Sequence, residues 1–210
     1  MKGFNFMKKN YLIIIIVGLI IASMILIAVI QSNKSSKVNM EPVEEQSLIY
    51  HGDPEADNEM LFLFDYACYW CALWMNDIYP TIESKYIDPG EVKFRTQAMV
   101  YVNDASLRLA DLDQNIKKYA EDQYHQIFQE IIADSQNEDL EWGSDQYISD
   151  LLNNYQLDQD LILSEPDFYS IKLSRAYTSA LGVEVVPTLY INGVKVEDPF
   201  NLDDIEALIK

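Results

Sequence analysis

Residues 64–74 read FDYACYWCALW and hold the only two cysteines of a 210-residue chain, Cys68 and Cys71. The preceding run, MLFLFDY (60–66), is short and apolar, the pattern of a buried strand. From Tyr69 onward, ALWMNDIYPTIESKY has helical character, with Pro80 marking a kink. Two thiols three positions apart therefore sit where a strand hands over to a helix. Such a pair can be a structural bridge, half of a metal site, or a working redox couple.

A structural zinc wants four ligands at short paired spacings. Only His51 and His125 could complete the set, neither lies in a paired motif, and ligand supply argues against zinc even if carboxylates substitute. A bridge closing so small a loop removes little entropy from the unfolded chain, which argues against a purely structural disulfide. The redox reading has a positive case. A thiol at a helix N-terminus faces free backbone amides, here those of Tyr69, Trp70 and Cys71, and the positive end of the helix dipole. Both favour the nucleophilic thiolate of Cys68, with Cys71 one turn in, shielded and within bonding reach. Asp65 and the acidic character of the chain push the other way.

Further along, EVKFRTQAMVY (91–101) alternates as a second strand, introduced by a Pro89-Gly90 turn. A stretch free of Gly and Pro then carries helical spacing at Leu107, Ala110, Leu112, Ile116 and Tyr119, and again at Tyr124, Ile127, Phe128, Ile131 and Ile132. Asn103 or Asp104 suits its N-cap. Two more helices are expected at about 144–154 and 166–181, the latter stopped by Gly182. PTLYI, Asn192-Gly193 and VKV form a hairpin signal, and a last short helix, LDDIEALIK, starts after Asn201. Asp111, Asp113, Asn115 and Asp122 imitate a calcium-loop spacing, but Ile116 stands where that loop needs glycine. They read as a solvated helix face, His125 as a partly buried helical residue, and His51 as a residue without a partner.

The first forty residues differ from the rest. Residues 11–30, YLIIIIVGLIIASMILIAVI, are twenty residues without a charge. At a rise of ~1.5 Å each they span ~30 Å, a bilayer's hydrocarbon core. Lys2, Lys8 and Lys9 precede them and hold residues 1–10 in the cytoplasm by the positive-inside bias, delivering the following chain outside. The run is longer than a signal-peptide core, and QSNKSSKVNM after it lacks a small-residue cleavage pattern, which favours a retained single-pass anchor. Residues 31–47 read as a polar linker, and residues 48–210 as one domain with its own core. Beyond residue 40 stand 10 basic against all 34 acidic side chains, a formal charge of −24. That charge argues against nucleic acid and against adhesion to anionic lipid.

The strand–Cys-x-x-Cys–helix unit, with Val186-Pro187-Thr188 and a hairpin far downstream, resembles the thioredoxin fold. The intervening helices, at about 103–180, resemble the inserted helical subdomain of DsbA-like thiol–disulfide oxidoreductases. FDYACYWC is similar to the strand-end phrase of that family, and HGDPEAD (51–57) to its lead-in segment. The fold class implied is α/β, thioredoxin-like with a helical insertion, in the membrane-anchored form known from Gram-positive bacteria.

By this resemblance Cys68 is the attacking thiol and Cys71 the resolving one, and their disulfide serves in place of a cofactor. Pro187 takes a cis-proline position, exposing the Val186 backbone for pairing with an extended peptide, with Thr188 following. Tyr69 and Trp70 stand where many relatives carry a proline, and they offer apolar contact to unfolded substrates. Phe62 stands where many relatives carry a buried acidic residue. The implied activity is disulfide introduction into extended or unfolded exported polypeptides, with a membrane redox partner resetting the pair. The same chemistry reversed, a reductase or isomerase, and a non-catalytic peptide-binding module are the alternatives.

Overall fold

The computed structural model describes residues 49–163 and 169–210, together with Val17 and residues 19–24; of Tyr169 only the backbone is described. The chain divides into two compact units, Met1–Ser36 and Lys37–Lys210. In the first, Val17 and residues 19–24 are helical. The rest of the expected anchor, the cytoplasmic segment before it and the linker lie outside the described residues. Among the described residues no helix is long and apolar enough to cross a membrane.

The second unit is built around a four-stranded sheet, β1 (Asn58–Phe64), β2 (Val92–Ala98), β3 (Thr188–Ile191) and β4 (Val194–Lys195), in the order β2-β1-β3-β4. β1 runs parallel to β2, with Asn58 opposite Val92 and Phe64 opposite Ala98. It runs antiparallel to β3, with Leu63 opposite Thr188. Two central strands without polar alternation need cover on both faces, and they have it. Met60, Phe62 and Phe64 point into a large core with Trp74, Phe94 and Phe128. Leu61 and Leu63 point the other way, onto Leu173, Tyr177 and Leu181. Each fully buried side chain of this kind contributes on the order of 2–3 kcal/mol.

The helices follow from local signals. α1 (Tyr69–Asp77) ends at Ile78, and Pro80 lies in the first turn of α2 (Tyr79–Ile82), where its missing N–H costs nothing. A π-helical turn, Glu83–Ile87, completes this arm. Between β2 and β3 come α3 (Asp104–Tyr119), α4 (Glu121–Asp134), α5 (Asp145–Asn154), α6 (Gln159–Ile162) and α7 (Tyr169–Leu181). These form the helical insertion. Asn103 caps α3 with a reciprocal capping box closed by Ser106. Asn192 and Gly193 both adopt positive φ (53° and 75°), the conformation that a two-residue hairpin turn requires. α8 (Leu202–Glu206) closes the fold, capped by Asn201.

Three expectations need correction. The buried face of α3 runs through Leu109, Ala110, Leu112 and Ile116, while Tyr119 is exposed. Asp113 is not on a solvated face: it is fully buried and accepts hydrogen bonds from Tyr66 Oη and Tyr124 Oη, both 2.8 Å, with Lys117 Nζ at 2.9 Å. Two phenol donors and a cation compensate the burial of that carboxylate. His51 also has partners, Glu83 and His125.

Candidate active site

β1 delivers the chain to Asp65, which is fully buried and organises everything after it. Its backbone carbonyl accepts from Cys68 N at 2.9 Å. Its Oδ1 accepts from Ala67 N (2.8 Å) and Ser106 Oγ (2.7 Å), and its Oδ2 from Tyr101 N (2.7 Å) and Val102 N (3.2 Å). Four donors satisfy this carboxylate and join the end of β1 to the segment following β2. Sequence reasoning treated Asp65 only as a charge. Its place directly between the strand and the cysteines was the available signal, but partners from residues 101–106 come together only in the fold.

Cys68 is the N-cap residue of α1, in extended conformation, and its carbonyl accepts from Cys71 N (3.0 Å) and Ala72 N (3.2 Å). The Cys68 thiol lies at the edge of exposure, whereas Cys71 is fully buried. The Cys68 pKa is lowered to about 7. The largest cause is the hydrogen bond from the Cys71 thiol, with the amides of Cys71 and Trp70 adding to it against burial and the Asp65 charge. The helix-end expectation is therefore amended: the second thiol outweighs the amides, and the Tyr69 amide is not among the causes. Burial, above all, drives the Cys71 pKa well up, so this thiol keeps its proton as donor.

The Val186–Pro187 peptide is cis, and the Val186 carbonyl accepts from Cys68 Sγ at 3.6 Å. Residues more than a hundred positions apart in sequence thus meet at one sulfur. Val186 and Pro187 are half-buried, and Thr188, buried at the start of β3, donates its hydroxyl to the Val185 carbonyl (2.7 Å). Tyr69 and Trp70 are 59% and 57% exposed, edge to face with each other, and Trp70 also meets Phe200 edge-on. Tyr101, Val102 and Val185 are exposed too. Tyr69 and Trp70 follow Cys68 directly, the Tyr101 and Val102 amides bond to Asp65, and Val185 precedes the residue whose carbonyl meets Cys68 Sγ. Phe62 is wholly buried and stacks on Trp74, with ring centroids 4.3 Å apart. The buried carboxylate of this site is supplied by Asp65 at the strand end.

A family model described as thioredoxin matches residues 44–210. The chain belongs to the thioredoxin family. Disulfide bond formation protein D of Bacillus subtilis (strain 168) is 20% identical over 169 residues, 76% of this chain and 74% of that protein. The crystal structure of oxidised BdbD from Bacillus subtilis superposes with a TM-score of 0.69 at 19% identity, covering 83% of this chain and 94% of its own. Wolbachia pipientis alpha-DsbA1 gives 0.64 at 20% identity, covering 78% and 89%. Chlamydia trachomatis DsbA gives 0.64 at 18%, covering 78% and 90%. The DsbA-like resemblance carried by FDYACYWC thus extends through the fold, helical insertion included.

Proposed function

We propose that the chain is a membrane-tethered, outward-facing thiol–disulfide oxidoreductase that introduces disulfides into exported polypeptides, with Cys68 and Cys71 as its redox pair. The observation that carries this reading is the asymmetry of the two sulfurs. Cys68 borders solvent with its pKa lowered to about 7, while buried Cys71 remains a protonated donor beside it. In the oxidised pair, a substrate thiolate attacks Cys68 Sγ and displaces the Cys71 thiolate, which takes up a proton. A second substrate thiolate then attacks the substrate sulfur of the mixed disulfide, and Cys68 leaves as the stabilised thiolate. The substrate gains a disulfide, and the enzyme carries two electrons to a membrane redox partner that reoxidises it. Tyr69, Trp70, Val186, Pro187 and Thr188 would line the place of the extended peptide, and the relative named for disulfide bond formation supports the oxidising direction. Residues 11–30 would be the anchor and 31–47 the linker.

One observation favours the reverse direction as a second reading. A first-cysteine pKa of about 7 resembles thioredoxin-type reductants more than the strongest oxidants, which reach about 3.5. The reduction potential separates the two: about −120 to −180 mV supports the oxidase and about −270 mV the reductase. Oxidative refolding of a reduced, unfolded client by the full chain in detergent, beside insulin reduction, tests the assignment. Cys68→Ser is expected to lower either turnover by on the order of 10³-fold or more. Activity surviving that change would replace the enzyme with the peptide-binding module.

A further inference from the structure

Among the described residues outside the cysteine site, one cluster of coordinating side chains joins three separate parts of the fold. His51 precedes β1 and pairs with Phe94 of β2 in an isolated bridge, its N–H donating to the Phe94 carbonyl at 2.8 Å and its carbonyl accepting from the Phe94 N–H at 2.9 Å. Glu83 opens the π-helical turn, a backbone irregularity often found at functional sites. His125 belongs to α4. The two imidazoles stack face to face, centroids 3.5 Å apart and planes within 5°. Both Nε2 atoms address the same carboxylate oxygen: Glu83 Oε1 lies 3.0 Å from that of His51 and 3.6 Å from that of His125.

We propose that His51, Glu83 and His125 bind a divalent transition-metal ion of the zinc class. Their three ligand atoms all fall within 4.8 Å of one another. A tetrahedral ion with bonds of ~2.0–2.1 Å holds its ligand atoms ~3.3 Å apart, a value bracketed by the observed 3.0 and 3.6 Å. Two imidazoles and one carboxylate select zinc-like ions over calcium or magnesium, which prefer all-oxygen sets. Binding uses the Nδ1–H tautomer of both rings, which frees the Nε2 lone pairs, and the parallel stack opens by rotation of at least one ring so that both lone pairs reach one ion. Tyr79 Oη lies 2.9 Å from Glu83 Oε1 and 3.0 Å from His125 Nε2; the ion would take the place of the second contact and leave the hydroxyl donating to Glu83, an outer contact of the kind that fixes a ligating carboxylate.

The three ligand side chains are between 20% and 31% exposed, so an ion can enter and keep water as a fourth ligand. A cavity of about 230 Å³ adjoins both histidines, and Glu121 and Asp122 on its wall attract cations. Phe94 is opposite Met60, four residues below the end of β1, which places the cluster ~13 Å down the strands from the cysteine turn at ~3.3 Å per residue. The ion would therefore clamp the segment before β1 and the helical insertion to the sheet, without touching the redox sulfurs.

Metal-stripped full chain in detergent, with Cys68 and Cys71 locked as their disulfide so that thiols cannot compete, is titrated with ZnCl2 against a chromophoric chelator. One equivalent is expected to bind, and His51→Ala, His125→Ala and Glu83→Gln each to weaken it by about 100-fold or more. Tyr79→Phe, which keeps the ring, is expected to cost 10- to 100-fold. Binding no tighter than that of free carboxylates, or unchanged in both histidine variants, overturns the site. Should a variant fail to fold, X-ray absorption at the zinc edge of the wild-type chain decides: two imidazoles around the ion uphold the assignment, and an all-oxygen shell overturns it.

Discussion

At Cys68 the chemistry rests on a thiol next door. The Cys71 S–H is the largest contribution lowering the Cys68 pKa to about 7, ahead of the backbone amides. Alkylation of reduced wild-type chain by iodoacetamide is therefore expected to show a midpoint near pH 7. Cys71→Ala, which removes the donor from a fully buried position, should move that midpoint up and slow alkylation at pH 6 by on the order of 10-fold. An unmoved midpoint would return the credit to the helix end. The same shift makes stability depend on pH in the reduced form. Cys68 is more acidic folded than unfolded, so the unfolded chain holds more protons between about pH 7 and the free-thiol range. The reduced protein should gain thermal stability as pH rises through that window and lose it as pH falls back through 7. The disulfide form has no thiol there and should lack that slope in paired melting curves.

The turn between β1 and α1 is held by Asp65, and through it the segment after β2 is held as well. Asn at this position keeps one acceptor oxygen and loses the charge. Asp65→Asn is expected to destabilise the domain by about 1–3 kcal/mol in urea unfolding, because buried amides and a hydroxyl lose strong acceptors. Since the Asp65 charge raises the Cys68 pKa, the same variant should shift alkylation to lower pH. Lost stability together with a more acidic thiol is a pair of results that general loosening would not produce. The elements themselves were largely legible: the apolar run MLFLF (60–64) for β1, a polar cap for α3 and Asn192-Gly193 for the hairpin all act through neighbours in sequence. The π-helical turn at Glu83–Ile87 was not, because its ladder shift answers to packing and not to propensity.

Across the molecule, the insertion is fastened to the sheet by a buried polar knot. Asp113 of α3 accepts from Tyr66, just past β1, and from Tyr124 of α4, with Lys117 paired beside it. Burial pushes the Lys117 pKa down, so its charge depends on this carboxylate. Asp113→Ala takes the carboxylate from a buried cation and an acceptor from two phenols, leaving Lys117 and Tyr124 their bonds to Thr96, and a loss of about 3–5 kcal/mol is expected in chemical denaturation. Lys117→Met in the same background should recover part of it, since the cation that lacked its carboxylate is then gone.

Local order along the chain was enough to announce the strand, the cysteine turn, the helix and the hairpin, and the thioredoxin-type architecture followed from the resemblance that this order carries. These depend on short-range periodicity and on residues with special backbone freedom. It was not enough to say which distant groups meet. Val186 at the Cys68 sulfur, residues 101–106 around Asp65, Asp113 inside the core and the stacked pair His51 and His125 are products of chain crossings in three dimensions. A carboxylate or imidazole looks the same in one dimension whether it faces water or a partner. Only packing removes the water and thereby fixes its charge, its hydrogen bonds and its chemistry.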